Sequence, residues 1–166
     1  MAKKVTVYSF MLAVSLIFSY LEALLPLDFI APGIKLGLAN CVVLLFIFTD
    51  HKRAAFFVNI CRIILSAVLF SSLISLAYAL SGALLSFIIM LIAKKIKALS
   101  IVGVSILGGV AHNTTQIIVA GFVFDTAGVY YYLPLLILFG AVCGALTGIC
   151  GGALLKNKNI QNLFAA

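Results

Sequence analysis

Charged side chains divide this chain into long apolar runs, and the distance between charges is the natural ruler for its elements. A helix that crosses the hydrocarbon core of a bilayer needs about 20 mostly apolar residues. Val5 to Leu25 supplies a first span, closed by Pro26. Lys35 to Thr49 supplies a second, shorter one, ended by Asp50, His51, Lys52 and Arg53. From Ala54 to Ala93 the one charge is Arg62, and the run has room for two spans, 54–70 and 73–93, with a tight turn at Ser71 and Ser72. After Lys94, Lys95 and Lys97, a fifth span covers Leu99 to Phe124. Asp125 and Gly128 then make a loop, and Tyr132 to Leu155 is the sixth span. These runs are uninterrupted instead of alternating over segments of about ten residues, which predicts helices and not a barrel. The expected fold is therefore an all-α membrane protein, a single bundle of six transmembrane helices over residues 1–166. The first run does not read as a cleavable signal peptide, because Glu22 and Pro26 stand where small residues would mark the cleavage site.

Composition supports the same solvent. Hydrophobic residues make up 65% of the chain and charged residues 9%, against roughly 25% charged in a soluble domain, so a water-facing surface cannot be assembled. The net charge of +7 would suggest nucleic acid in a soluble protein. Here the basic residues sit in short clusters between apolar runs, so they report topology and no nucleic-acid partner is expected. With six spans, every Lys and Arg except Lys35 and Arg62 falls on one side, together with Asp50. Glu22, Asp28, Lys35 and Asp125 fall on the other. Cytoplasmic loops are enriched in Lys and Arg, which places both termini in the cytoplasm of a cell with this protein in its membrane.

Polar groups at membrane depth are where function is sought, since each is costly there without a partner, water or ligand. Arg62 is the sharpest case. Counted from Ala54 at about 1.5 Å per residue, it lies roughly 12 Å into the bilayer, where a lone arginine costs at least about 2.5 kcal/mol. Asn59, three residues earlier, shares its helix face. His112 and Gln116, four apart, form a second polar face with Asn113 beside it, while Lys35 and Asn40 open the second span and Glu22 closes the first. By depth, these residues line one cavity opening outward with Arg62 at its floor. Structural readings stand beside this one: an ion pair between Glu22 and Lys35, Arg62 capping the carbonyls of a broken helix, and interhelical hydrogen bonds from His112 and Gln116.

Gly140, Gly144, Gly148 and Gly152 recur every fourth residue along the sixth span. Such a stripe lets a neighbouring backbone approach closely and reads as helix packing or as a sliding surface. Ser15 and Ser19 form a weaker small-residue pair on the first span, suited to docking a partner helix. Cys41, Cys61, Cys143 and Cys150 lie in apolar runs without CxxC spacing, so they indicate neither a zinc site nor a disulfide framework. The three aspartates are isolated, whereas prenyl transfer uses aspartate-rich clusters to hold magnesium on a diphosphate. No glycine-rich loop leads into a Walker lysine motif. The chain is thus expected to bind no metal or cofactor and to be no enzyme, neither hydrolysing ATP nor transferring prenyl groups alone.

Several segments together resemble a known family. They are Tyr20-Leu21-Glu22 with Pro26; the run Pro32-Gly33-Ile34-Lys35-Leu36-Gly37-Leu38-Ala39-Asn40; intramembrane Arg62; and Gly103 with Gly109-Val110-Ala111-His112-Asn113 and Gln116. The chain resembles the Gx transporter family, often labelled heptaprenyl diphosphate synthase component I, over nearly its whole length. That family looks related to the substrate-binding S components of energy-coupling-factor (ECF) transporters. The resemblance implies a transmembrane coupling subunit and two ATPases as partners, with a small anionic or amphipathic molecule captured from outside. It also brings an isoprenoid or quinone precursor into view as cargo, through the label alone. On this reading the loop from Pro26 to Ile34, with Asp28, Pro32 and Gly33, gates the cavity. A different class of function remains open: a non-catalytic membrane anchor for a heptaprenyl diphosphate synthase, recruiting a soluble prenyltransferase through Lys94 to Lys97 or the termini.

Overall fold

Helices follow the apolar runs, and their ends are set by local chemistry. The structure, a computed structural model, describes residues 2–25, 37–70 and 73–164. Its elements are α1 (Ala2–Leu24), α2 (Asn40–Phe48), α3 (Lys52–Phe70), α4 (Leu73–Ala93), α5 (Ile101–Phe124), a 3-10 helix (Ala127–Tyr132), α6 (Leu133–Lys156) and α7 (Lys158–Phe164). Ser100 caps α5, its hydroxyl accepting from the Gly103 amide at 3.2 Å, which satisfies one of the amides a helix start leaves without a partner. Pro134 sits in the first turn of α6, where its missing N–H does no harm. Asp50 and Asp125 take positive φ, 63° and 45°. Each follows closely on a helix C-terminus and reverses the chain in a conformation that Asp tolerates better than most residues.

Among the described residues, five helices are long and apolar enough to cross a membrane. They are α1, α3, α4, α5 and α6, and they match the expected runs 5–25, 54–70, 73–93, 99–124 and 132–155 to within a few residues. Their outer faces carry large apolar side chains such as Phe57, Val68, Phe122 and Ile149, all more than half exposed, as a lipid-facing surface requires. The expected second span, 35–49, is different. Its helix begins at Asn40 and has nine residues, about 13 Å at 1.5 Å per residue, less than half of a hydrocarbon core about 30 Å thick. Every residue from Cys41 to Ile47 is buried. A short helix that is apolar all round belongs in a protein core, and α2 packs there against α3 and α6. The anticipated turn at Ser71 and Ser72 lies outside the described residues. The expected loop at Asp125 and Gly128 is largely the 3-10 helix.

Contacts gather the basic segments at one end of the bundle. Tyr8 of α1 packs edge-on against Phe46, centroids 5.4 Å apart, and lies 6.1 Å from the His51 ring. Phe164 of α7 covers the same two rings at 5.1 and 5.8 Å. Lys94 donates to Asp50 Oδ1 and to the Ile47 carbonyl, both at 2.7 Å, which ties the α4–α5 turn to the end of α2. The Lys94 ammonium holds the Asp50 carboxyl below the usual carboxylate range, first through the hydrogen bond and then through its charge. At the opposite end Tyr20 meets Phe70, centroids 5.0 Å apart, and Tyr78 meets Phe124 at 6.3 Å.

Helix pairing divides the bundle. α5 packs most extensively, against α6 and then α4, while α1 packs on α3, and α2 and the α3–α4 contact join the two groups. The α5–α6 seam is built on the glycine stripe. A Cβ on Gly144 would lie 2.7 Å from the Ser105 carbonyl oxygen, and one on Gly148 2.7 Å from Val102 Cα. Gly140 and Gly109 face each other across the seam. A Cβ on Gly152, at the end of the stripe, would meet only the γ2 methyl of Ile101, at 3.2 Å.

Candidate functional site

Between these two groups of helices lies a cavity of about 450 Å³. Its charged floor is Arg62, on α3 and 8% exposed. The guanidinium donates from Nη1 to Ser19 Oγ at 3.1 Å and from Nη2 to Asn59 Oδ1 at 2.8 Å. Arg62 Nε is buried and has no hydrogen-bond partner among the described residues. Asn59 reaches the guanidinium because three residues on one helix share a face. Ser19 reaches it because α1 packs on α3. Glu22, one turn beyond Ser19 and also buried, accepts from the Leu38 amide and acts electrostatically on the Arg62 charge. A buried cation therefore has two neutral hydrogen-bond acceptors and a nearby carboxylate, the combination that makes an arginine tolerable at this depth.

Asn40 enters from the first turn of α2. Just before it, Gly37 has φ 75°, a left-handed turn that favours glycine. The Gly37 carbonyl accepts from Thr147 Oγ1 of α6 at 3.3 Å, fixing the start of α2 beside the cavity wall. From the other group of helices, α5 contributes His112, Asn113 and Gln116. Asn113 Nδ2 donates to the Leu136 carbonyl at 2.9 Å, so this amide spans α5 and α6. Gln116 is 8% exposed, and its Oε1 has no hydrogen-bond partner among the described residues. The same holds for the buried hydroxyl of Tyr78 on α4, while Ser86 donates to the Gly108 carbonyl of α5 at 2.8 Å.

The structure brings Glu22, Asn40, Arg62, His112, Asn113 and Gln116 to one cavity. Lys35 and the gating residues Pro26, Asp28, Pro32 and Gly33 lie outside the described residues. Gly140 and Gly144 border the same cavity as well as the α5–α6 seam. Ser15 is fully buried, with its hydroxyl on the Leu12 carbonyl at 2.8 Å, and Ser19 serves Arg62. The face they mark is thus turned into the chain's own bundle instead of being offered to a partner helix.

Three contributions were not legible in advance. Ser19 as the arginine's partner, Thr147 and Tyr78 each present a single hydroxyl in an apolar run, and such hydroxyls commonly bond their own helix backbone. A signal does exist on α4, where Tyr78, Gly82 and Ser86 recur every fourth residue and so lie on one face. Gly82 is what lets that face meet α5. A Cβ there would lie 2.9 Å from the His112 carbonyl oxygen and 3.0 Å from Gln116 Cγ.

The rest of the described lining mixes apolar side chains, Phe70, Phe124, Ile63, Ile117 and Leu136 among them, with Ser66, Ser75 and Ser105. Convergent polar groups beside an apolar wall, in a pocket of this volume, fit the general form of a small-molecule site. A family model described as Heptaprenyl diphosphate synthase component I matches residues 11–154. No curated protein and no solved structure matches the chain.

Proposed function

Starting from a chain that belongs to the heptaprenyl diphosphate synthase component I family, we propose that it is a substrate-binding membrane subunit, an S component, of an ECF-type transporter. It captures a small anionic or amphipathic molecule from outside the cell, with an isoprenoid or quinone precursor as the cargo the family name suggests. The observation that carries this reading is the cavity at Arg62, where a buried guanidinium has a donor still to place. Both termini face the cytoplasm, in line with the basic clusters that gather at one end. The chain itself is no enzyme. A transmembrane coupling subunit and two ATPases supply the motion, and the closely packed α5–α6 seam lets these two helices move together as a body.

The family name supports a second reading, a non-catalytic membrane anchor that recruits a soluble prenyltransferase through the basic end. Purification in mild detergent separates the two. Recovery of coupling and ATPase subunits supports transport. Recovery of a prenyltransferase that is lost when Lys94, Lys95 and Lys97 are neutralised supports the anchor. For the transport reading, Arg62→Ala is expected to abolish uptake while the protein still inserts into the membrane. Normal uptake by a well-expressed Arg62→Ala protein would sink that reading.

A further inference from the structure

The charge and hydrogen-bonding capacity of the cavity constrain its occupant more narrowly than its volume does. The ionisable groups of its described lining include one carboxylate, Glu22, one guanidinium, Arg62, and one imidazole, His112. Glu22 and Arg62 already act on one another electrostatically, so apart from the His112 imidazole the described lining offers no surplus positive charge. Buried polar atoms in it without a hydrogen-bond partner among the described residues include Arg62 Nε, which donates; Gln116 Oε1, which accepts; and the Tyr78 hydroxyl, which does either. They come from α3, α5 and α4, on different walls of one space. Buried polar groups are nearly always satisfied, so these three describe the complement of a missing molecule.

A diphosphate head suits this lining poorly. It brings several negative charges to a place where the one guanidinium already has a carboxylate nearby, and uncompensated charge is the most expensive thing to bury. It also carries acceptors almost exclusively, so it would meet Gln116 only through the amide NH2 and would leave Oε1 without a donor. We infer that the cavity binds an amphipathic molecule whose head has no net charge and sets an acceptor, for Arg62 Nε, beside a donor, for Gln116 Oε1. Its apolar part lies along Phe70, Ile117 and Phe124. This rests on the substrate-capture reading and narrows it from anionic or amphipathic cargo to an uncharged head.

Matched probes test the inference on the full chain in lipid nanodiscs. Decanamide and geraniol are the uncharged probes and geranyl diphosphate the charged one. The four cysteines are free, two of them buried, so a thiol-reactive dye reports unfolding, and a ligand that binds the native state raises the unfolding temperature in a saturable way. The expected result is saturable stabilisation by at least one uncharged probe and none by geranyl diphosphate. In Gln116→Leu the half-saturating concentration rises roughly tenfold, the loss of about one hydrogen bond. Tyr78→Phe, which keeps the ring and removes only the hydroxyl, serves as a second variant if Gln116→Leu does not fold. Stronger stabilisation by geranyl diphosphate overturns the uncharged head while leaving substrate capture intact. Saturation by no probe, or saturation unchanged in both variants, overturns the inference. The co-purifying subunits judge the capture reading separately.

Discussion

Arg62 Nη1 donates to Ser19 Oγ at 3.1 Å, joining α3 to α1 across a separation of 43 residues. This bond accounts for how a cation is kept inside a bundle whose outer faces are lipid-exposed. Without Ser19, a charged donor on the cavity floor loses one of its two protein acceptors. Ser19→Ala is therefore expected to destabilise the protein by about 1–3 kcal/mol. In an Arg62→Leu background, where the donor is already gone, the same change should cost only a few tenths of a kcal/mol. A double-mutant cycle from thermal or SDS unfolding measures the coupling. Additive effects would show that the bond contributes nothing.

The glycine stripe separates by position. Gly144→Ala puts a methyl 2.7 Å from the Ser105 carbonyl oxygen and 2.8 Å from Ile106 Cα, both backbone atoms that cannot step aside. Gly152→Ala meets one side-chain atom, the Ile101 γ2 methyl, at 3.2 Å, which has only to yield by a few tenths of an ångström. Overpacking against a rigid neighbour costs about 1–3 kcal/mol, so Gly144→Ala should lower the unfolding temperature by several degrees. Gly152→Ala should be near neutral, or gain slightly from helix propensity. Equal effects at the two positions would mean that α5 does not pack on this stripe as described.

Most of the fold was legible because lipid imposes its own ruler. An apolar run of span length flanked by charge fits a transmembrane helix and little else, and α1, α3, α4, α5 and α6 follow from it. α2 was not legible in this way, because the run from Cys41 to Phe48 looks the same whether lipid or protein surrounds it. Its nine-residue helix is buried on every side, and hydropathy has no term for that distinction. Arg62 stood out for the same reason that the spans did, as a charge where none is cheap. Its acceptors were legible in unequal measure. Asn59 shares its helix and is visible by spacing, whereas Ser19 is reached only through the packing of α1 on α3. Tyr78, Gly82 and Ser86 show their regular spacing in the sequence, yet the pattern acquires meaning only once α4 is known to lie against α5.

At the basic end, Lys94, whose ammonium also lies 5.5 Å from the centre of the Phe48 ring, makes two hydrogen bonds of different weight. Its bond to Asp50 is a surface ion pair, since the Asp50 side chain is 75% exposed, and such pairs contribute at most about 1 kcal/mol. Because the Asp50 carboxyl is held below its ordinary range, its contribution is present above the unfolded-state carboxylate pKa of about 3.9. It is lost as pH falls through the depressed value, and it shrinks with added salt. The bond from Lys94 Nζ to the Ile47 carbonyl adds a charged donor to an acceptor that also takes the Asp50 amide at 3.2 Å, and it survives that titration. Lys94→Ala should therefore destabilise more than Asp50→Asn at neutral pH. The gap should persist in high salt, where Asp50→Asn becomes almost silent. Unfolding measured across pH and salt checks both, and equal effects of the two substitutions would remove the role assigned to the Ile47 contact.

The sidedness of the bundle can be read directly. Ring contacts of Tyr8, Phe46, His51 and Phe164 and the Lys94–Asp50 pair place the start of α1, the α2–α3 turn, the α4–α5 turn and α7 at one end. Asp125 lies at the far end of α5, which has 24 residues and runs about 36 Å at 1.5 Å per residue. Single cysteines at Lys95, Lys158 and Asp125, placed in a chain whose own four cysteines are replaced by alanine, should label in two classes with a membrane-impermeant maleimide. Asp125→Cys should react in intact cells. Lys95→Cys and Lys158→Cys should react only after the membrane is opened, because positively charged loops are retained in the cytoplasm. The reverse assignment would invert the proposed direction of capture, since the Arg62 cavity would then open toward the cytoplasm. Different classes for Lys95→Cys and Lys158→Cys would contradict the clustering of the basic segments at a single end, and with it the packing of α7 against Phe46.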